Sequence, residues 1–288
     1  MKVKVKSAKN SVKDFIVSVY NALRMPEMVI LPGNLAFYFV LAIIPSLALI
    51  SYGASMLNLS VDFLYNFIAN SFSKEMADLI FGVQLSNTNG INFFITVIIG
   101  IYIASNGADS IILSSNTVYG IKNKTWIKRR FKAIGLTFLI VFLLMFMLVV
   151  PVFGNTITNL ITEVNLNEVV TNQILAIYNL IQGPLTWLIM FIIIKIIYVV
   201  APDKKRENRV INYGAWFTTV GWIVGTKIFS LYISNYANYT VLYGGFATLV
   251  VFMVWIYYLS LIFTIGIALN YKKDEDKLLK NGIINNSK

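Results

Sequence analysis

The sequence predicts an all-α membrane protein: a bundle of six transmembrane helices, with an N-terminal amphipathic helix at the membrane interface and short helices at the outer face. Hydrophobic residues make up 57% of the chain and charged residues 13%. A soluble domain is about 45–50% apolar and carries more charge on its surface. All but three of the 24 lysines and arginines lie in four stretches that alternate with the apolar segments, as the positive-inside rule describes. The four stretches are residues 1–27, 122–132, 204–209 and 272–288.

The first residues predict a basic cytoplasmic tail, 1–10, followed by an amphipathic helix. From Ser11 onwards, apolar residues recur at helical spacing and polar residues occupy the opposite face. We expect this helix to lie in the inner membrane surface and to end or bend at Pro26. Its apolar face contains Val12, Phe15, Ile16, Val19, Tyr20 and Leu23.

Six apolar segments have the length of roughly 20 residues that a helix needs to cross about 30 Å of hydrocarbon. They are residues 33–57, 91–113, 133–153, 176–200, 211–233 and 244–270. Because the first stretch is basic, we place the N-terminus inside, and six spans then place the tail 272–288 inside as well. The connections predicted inside are 114–132 and 201–210, and those predicted outside are 58–90, 154–175 and 234–243. Tyrosines flank the last outer turn as in an interfacial aromatic belt, at Tyr232, Tyr236, Tyr239 and Tyr243.

The outer stretch 58–90 predicts two short helices that rest on the outer face of the bundle. Two apolar stripes at helical spacing follow Ser60 and Ser73, which fit the N-cap position. No internal repeat is visible, so we treat residues 1–288 as one membrane domain.

The absence of histidine and cysteine excludes imidazole bases, thiol nucleophiles and metal sites built on either ligand. Carboxylates are sparse and mostly lie beside basic residues, so we expect no catalytic constellation, no metal and no cofactor. The net charge of +11 is spread over short inner stretches. That distribution suits anionic lipid at the inner face rather than nucleic acid.

Three charged residues inside the predicted spans are functional candidates, because such groups are costly in hydrocarbon. Asp109 and Lys195 lie at matching depth near the inner ends of their spans. They either form an inter-helix ion pair or each reach the nearby interface. Lys227 lies in the outer half of span five and either faces a polar cavity or extends to the outer interface.

Small and polar residues interrupt spans one and two. Asn106 and Asp109 lie near the end of span two and Asn116 follows it, among several serines. This pattern favours close helix packing with inter-helix hydrogen bonds, and its alternative is the lining of a hydrated path. In span one, Asn34 is followed by Pro45, which removes a backbone donor and predicts a kink.

Three glycines lie on one stripe of span five: Gly214, Gly221 and Gly225. Such a stripe lets another backbone approach closely. The partner is either another helix of the same chain or a second copy of the chain. The candidate residues of an intramembrane polar cavity are Asn34, Pro45, Asn106, Asp109, Asn116, Lys195, Lys227, Tyr232 and Asn270.

Several stretches together resemble the YihY/BrkB membrane proteins, a family once labelled ribonuclease BN. The segment from Gly33 to Pro45 is similar to the small-residue, Leu-Ala-Tyr/Phe-Tyr and proline signature of that family. Asn116–Tyr119, followed by Arg129 and Arg130, is similar to its Leu-Asn-x-x-Tyr and Arg-Arg-x-x-Ala stretch. The likeness covers roughly residues 15–271. In the C-terminal half it rests on Pro202, Gly214, Tyr232, Ser234, Asn235, Tyr239, Tyr243, Gly244, Gly245, Trp255, Tyr257 and Asn270.

The resemblance implies a six-span plasma or inner membrane protein that transports or exports a small or lipid-like substrate. Membrane lipid is then the expected partner, and a second copy of the chain is a further candidate. Ala268 stands where the family commonly has a glutamate, which weakens any transfer of an ion-coupled mechanism. The alternative is a non-transporting structural or interaction protein of the cell envelope, whose outer helices and basic inner face recruit partners. The residues do not fit a ribonuclease.

Overall fold

The computed structural model describes residues 8–42, 65–66, 91–141, 168–204, 208–236 and 247–280. Every regular element within these ranges is helical, which confirms the all-α prediction for this part of the chain. A 3₁₀ turn, Pro26–Val29, joins the first two helices. The α-helices are α1 (Ala8–Leu23), α2 (Leu31–Ala42), α3 (Ile91–Val118), α4 (126–141), α5 (Glu168–Val200), α6 (Asn208–Tyr236) and α7 (Ala247–Lys280).

Three of the described helices contain segments that are long and apolar enough to cross a membrane. These segments are Ile98–Val118, Gly183–Val200 and Val250–Glu275. A multi-pass membrane location follows from them. The second part of span one, with Pro45, lies outside the described residues, as does the outer stretch 58–90 apart from residues 65–66. The kink and the two outer helices therefore stay predictions.

Several helices extend beyond the predicted spans. α3 continues to Val118 instead of ending at 113, and α7 continues to Lys280 instead of 270. α4 begins at 126 instead of 133, and α5 begins at Glu168 instead of 176. The reason is that hydropathy marks only the part of a helix that suits hydrocarbon, whereas backbone hydrogen bonding continues the helix into polar residues.

α1 forms the predicted N-terminal helix, but its apolar face is divided between two environments. The Phe15 ring meets the rings of Tyr213 and Phe217 on α6, with centroid distances of 5.9 and 6.0 Å. Ile16 and Tyr20 are exposed by 61% and 51%. One edge of α1 therefore packs against α6, and the other edge is open.

The chain divides into two compact units. The first unit contains Met1–Tyr38, Ser110–Thr125 and Tyr198–Lys288, and the second contains Phe39–Asp109 and Trp126–Ile197. In the first unit, α7 packs against α6, α1 and the 3₁₀ turn. In the second unit, a methyl group added to Gly107 of α3 would lie 3.3 Å from the Phe39 ring, so the end of α2 packs closely on α3.

The exposed side of α6 carries an apolar stripe at helical spacing. A monomeric soluble protein rarely exposes an apolar surface of this extent, but a helix that faces lipid does. The stripe consists of Trp216, Val220, Val224, Ile228 and Leu231.

Candidate functional site

Asn116, near the end of α3, joins two connections that are far apart in the sequence. Its Nδ2 donates hydrogen bonds to Oδ1 of Asn123 and to Oδ2 of Asp203, each at 2.9 Å. Its Oδ1 accepts a hydrogen bond from the backbone N–H of Asp203, also at 2.9 Å. The side chain is fully buried, and the three bonds use both of its N–H groups. Asn116 therefore links the connection after α3 to the connection after α5.

A sharp backbone turn brings Asn123 to this position. Gly120 has φ +62°, the left-handed conformation that glycine adopts without strain. Its N–H donates to the Thr117 carbonyl at 3.1 Å, and the Ile121 N–H donates to the Asn116 carbonyl at 2.8 Å. This pair of bonds is the Schellman motif that ends many helices. It ends α3 and reverses the chain.

Asp203 also forms an ion pair. Its Oδ1 lies 3.3 Å from Nζ of Lys124; the Asp203 side chain is 3% exposed and the Lys124 side chain 50%. A buried carboxylate needs such partners, because burial without them is costly. We call Asn116, Asn123, Lys124 and Asp203 the Asn116 cluster.

The interface between α6 and α7 is built on close backbone approach. The Gly214 N–H donates to Oδ1 of Asn270 at 2.6 Å. A methyl group at Gly214 would overlap the Gly266 carbonyl oxygen, and one at Gly266 would overlap the Thr218 hydroxyl. Only glycine fits at both positions, so the two helices meet backbone to backbone.

The other glycines of the stripe face the same helix. A methyl group at Gly221 would lie 2.8 Å from Cγ2 of Ile262, and one at Gly225 would overlap the Tyr258 hydroxyl. The stripe predicted from the sequence therefore has its partner within the chain, on α7. Nothing in it requires a second copy.

Tyr198 contributes a third helix to this interface. Its hydroxyl lies 2.7 Å from Oγ1 of Thr218 and donates to the Phe263 carbonyl at 2.8 Å. The Tyr198 and Phe263 rings are 4.7 Å apart between centroids. The end of α5 is thereby fixed against both α6 and α7. We call this region, from Gly214 to Gly225 with its partners, the α6–α7 interface.

Four buried polar atoms on α3 and α7, all in the first unit, have no hydrogen-bond partner among the residues that the structure describes. They are the hydroxyls of Ser110 and Ser114 on α3, the hydroxyl of Ser260 on α7, and Nδ2 of Asn270 on α7. All four side chains are buried. Ser110 and Ser114 are four residues apart and therefore lie on the same face of α3. A buried polar atom without a partner is unfavourable unless water or a ligand bonds to it.

In the second unit, two arginines attach the start of α4 to α3. Arg129 forms a two-point contact with Asp109, from Nε to Oδ1 at 2.7 Å and from Nη2 to Oδ2 at 3.3 Å. Arg130 donates to Oδ1 of Asn106 at 2.8 Å. Its guanidinium carbon lies 3.7 Å above the Tyr102 ring centroid, a cation–π distance. We call these five residues the arginine cluster.

The arginine cluster answers one question that the sequence left open. Asp109 pairs with Arg129 and not with Lys195, which has no ion-pair partner within the described ranges. Matching depth alone suggested Lys195. The arginine is preferred because its planar fork matches a carboxylate with two hydrogen bonds.

The remaining candidates are dispersed. Asn34 lies in the first turn of α2, where its N–H donates to the Ile30 carbonyl. Lys227 is exposed on α6, beside Val224 and Ile228 of the apolar stripe. Tyr232 lies in α6, but its side chain is outside the described residues. The described residues place Asn106 and Asp109 in the arginine cluster and Gly214 against Asn270, and the intramembrane polar cavity stays a prediction.

Sequence reasoning missed Asp203 and Tyr198. Asp203 was read only as one of several carboxylates beside basic residues, although the proline before it already marked a fixed turn. Tyr198 was read as part of an apolar run. Its signal was a single hydroxyl among isoleucines and valines, because a buried tyrosine usually needs a partner for its hydroxyl.

The groups that the described residues place in these clusters are suited to binding and packing. Within the described ranges, no group of three or more aspartates or glutamates is placed to hold a metal ion. The two carboxylates of the clusters, Asp109 and Asp203, are each bound to a cation. Hydroxyl, amide and guanidinium groups remain, and these can bind water, polar groups or anions.

The chain matches known proteins over most of its length. Residues 19–282 match the family model described as virulence factor BrkB. The chain is 30% identical over 260 residues, 89% of its length, to YfkH of Bacillus subtilis (strain 168), a protein with a ribonuclease-like label, and covers 94% of that protein. It is 32% identical over 89 residues to a UPF0761 membrane protein of Haemophilus influenzae (strain PittEE), but the match covers 33% of that protein and 31% of this chain. No solved structure matches. On the extent of the family match, the chain belongs to the virulence factor BrkB family of membrane proteins.

Proposed function

We propose that the chain is a plasma-membrane transporter or exporter that moves a small or lipid-like substrate along a polar path between its helices. In this proposal it forms one membrane domain of six spans, with both termini in the cytoplasm. The position of the basic stretches supports this orientation. Each predicted span overlaps a described helix, from α2 to α7, which supports the number of spans.

The observation that carries the proposal is the set of buried polar atoms without partners on α3 and α7. Ser110, Ser114 and Ser260 each have a buried hydroxyl that makes no hydrogen bond with another described residue. In the bilayer no solvent compensates for such a group. Helices keep polar atoms at membrane depth where they line a hydrated cavity or meet a polar substrate.

A transporting role fits the residues better than an enzymatic one. The chain has no histidine and no cysteine, and Asp109 and Asp203 are paired with Arg129 and Lys124. General acid–base chemistry requires a titratable group within reach of the reacting atoms. We therefore propose that the protein is not an enzyme and that the ribonuclease-like label of YfkH does not extend to this chain.

The test uses the purified full-length protein reconstituted into liposomes. Fluorescent, headgroup-labelled phosphatidylglycerol serves as the amphiphilic probe, and dithionite added outside quenches the label only in the outer leaflet. We expect faster loss of the inner-leaflet signal with wild-type protein than with empty liposomes. In the double variant Ser110→Ala/Ser114→Ala the rate should fall by about tenfold, because two hydroxyl contacts of about 0.5–1.5 kcal/mol each are removed.

Ser105→Ala is the matched control. Ser105 lies on the same helix and is buried, but its hydroxyl donates to the Tyr102 carbonyl at 2.8 Å. Removing it should lower stability by about 1 kcal/mol and leave the rate unchanged. The double variant should keep or gain stability. Wild-type protein that moves the probe no faster than empty liposomes, or a double variant with the wild-type rate, would favour a non-transporting structural protein.

A further inference from the structure

The first two turns of α4 combine an apolar surface with positive charge. Trp126, Ile127 and Phe131 are exposed by 59%, 60% and 73%. Lys128 is exposed and makes no ion pair with another described residue. Exposed aromatic and apolar side chains beside a lysine, at the end of a membrane helix, suit the headgroup region of a bilayer.

The charge of Arg130 is not neutralised by a carboxylate within the described residues. Its guanidinium contacts the Asn106 amide oxygen, the Tyr102 carbonyl oxygen and the Tyr102 ring, which are all neutral. Its Nε is buried without a partner, and the residue is 8% exposed. Asp109 already holds Arg129 with two hydrogen bonds. The arginine cluster therefore carries an uncompensated positive charge.

Helix stability does not explain this charge. The N-terminal end of a helix has a partial positive charge, so cations in the first turns are unfavourable there. Lys128, Arg129 and Arg130 nevertheless follow each other directly after α4 begins at 126. An anion bound at this end would interact favourably with the partial positive charge of the helix end and with the guanidinium charge that no carboxylate neutralises.

The side chains are arranged around one stripe of α4. Ile127 and Phe131 are four residues apart and share a face. Lys128 lies next to this face on one side, and Trp126 and Arg130, again four residues apart, lie next to it on the other side. An acyl chain along the stripe would have the exposed Lys128 on one side of its headgroup and, on the other side, the buried Arg130 guanidinium, which lies against Tyr102 and Asn106 of α3.

We propose that the start of α4 binds the phosphate group of an anionic phospholipid at the inner membrane surface. Lys128 and Arg130 supply the charge, and Ile127 and Phe131 contact the acyl chain. This lipid site rests on the membrane orientation given in the proposed function. It adds to that function the class of lipid that the protein binds. A soluble phosphate ester offers the same anion but leaves the apolar stripe uncovered, so we commit to the lipid.

The test measures quenching of Trp126 by phosphatidylglycerol with brominated acyl chains, added to the full-length protein in neutral detergent. The Trp126 signal is the difference between wild-type protein and Trp126→Phe. We expect saturable quenching by this lipid and much weaker quenching by phosphatidylcholine with the same chains. Lys128→Gln should weaken the affinity roughly fivefold, as expected for loss of one cation near anionic lipid. Arg130→Gln should weaken it at least as much.

Matched controls separate this site from general attraction to positive charge. Lys204→Gln removes one exposed cation elsewhere in the chain and should change the affinity less than twofold. Phe138→Ala, on the same stripe at 54% exposure, should have a smaller effect than Phe131→Ala. If Arg130→Gln does not fold, Lys128→Gln still decides the result, and Arg130→Lys should restore binding.

Three results would overturn the proposal: equal quenching by both lipids, Lys128→Gln behaving like Lys204→Gln, or displacement of the lipid by millimolar glycerol 3-phosphate. The binding measurement needs no transport. If the wild-type protein does not bind the lipid but Ser110→Ala/Ser114→Ala still lowers the transport rate, the lipid site alone is rejected. Intact binding with no transport would reject the proposed function alone.

Discussion

The α6–α7 interface and the arginine cluster both fix one helix against another, but they use different contacts. In the α6–α7 interface, Gly214 and Gly266 allow backbone contact, and the hydrogen bonds come from neutral groups such as Asn270. In the arginine cluster, Arg129 and Asp109 are each 17% exposed and carry full charges. Neutral contacts need no counter-ion at membrane depth, whereas charged contacts are tolerable near an interface. The two regions should therefore respond differently to substitution.

The largest effect should come from the backbone contact. In Gly214→Ala the added methyl group meets the Gly266 carbonyl oxygen and Oδ1 of Asn270. A backbone oxygen cannot move aside as a flexible side chain can, so we expect a loss of about 3 kcal/mol or more. Size-exclusion profiles and thermal unfolding in detergent measure this loss.

Gly135→Ala is the matched control for that prediction. No described residue places an atom within 4 Å of a methyl group at Gly135 in α4, and alanine favours a helix by about 1 kcal/mol over glycine. Gly135→Ala should be neutral or stabilising. Equal stability of the two variants would show that α6 and α7 do not meet backbone to backbone.

The second effect concerns Asn116, a neutral amide that hydrogen-bonds to groups that include the Asp203 carboxylate. Asn116→Ala removes three hydrogen bonds and leaves the Asp203 carboxylate with fewer donors. We expect a loss of about 2–4 kcal/mol and faster hydrogen exchange at Asp203. Asn123→Ala removes only one of these bonds and should cost about 1 kcal/mol. Similar losses in both variants would contradict the central position of Asn116.

The third effect tests the charged contact. Asp109→Asn should lower stability by about 1–2 kcal/mol, because it weakens two charge-assisted hydrogen bonds that are partly exposed. Lys195→Gln should change stability by less than about 0.5 kcal/mol, because Asp109 binds Arg129 instead. Thermal unfolding of both single variants and of the double variant measures the coupling. A coupling free energy between Asp109 and Lys195 in these measurements would instead support the ion pair that the sequence suggested.

The smallest effect should be at Lys227. Its side chain is exposed in the apolar stripe of α6, so Lys227→Gln should change stability by less than about 0.5 kcal/mol and leave the probe rate unchanged in liposomes. A normally folded Lys227→Gln variant that no longer transports would instead place Lys227 in the polar path.

The all-helical character of the described residues could be predicted because apolar length located the helices. The positions of lysine and arginine predict their orientation in the membrane, and that orientation stays a prediction. The glycine stripe on span five was predicted as a close packing surface, and its three glycines lie against α7. The helix ends were less accurate, as at Lys280, because a helix continues through polar residues that no hydropathy pattern includes.

The individual contacts of the candidate site were not predictable in the same way. Asn116 was identified as a candidate, but its partner Asp203 is 87 residues away, and no local pattern connects them. Asp109 and Lys195 matched in depth, yet depth does not specify which side of a helix faces which neighbour. Contacts between helices depend on rotation about each axis, and a single sequence constrains that rotation only weakly.

The bond between Asn116 and Asp203 also has a consequence for biogenesis. Because the two residues are 87 positions apart, the ribosome must add all of the intervening chain before Asn116 can meet its partner. At about 5–20 residues per second, this delay is on the order of ten seconds. During that interval the newly inserted α3 carries an amide that still lacks its final contacts. A chaperone or insertase that shields polar groups would act on this nascent chain during that interval.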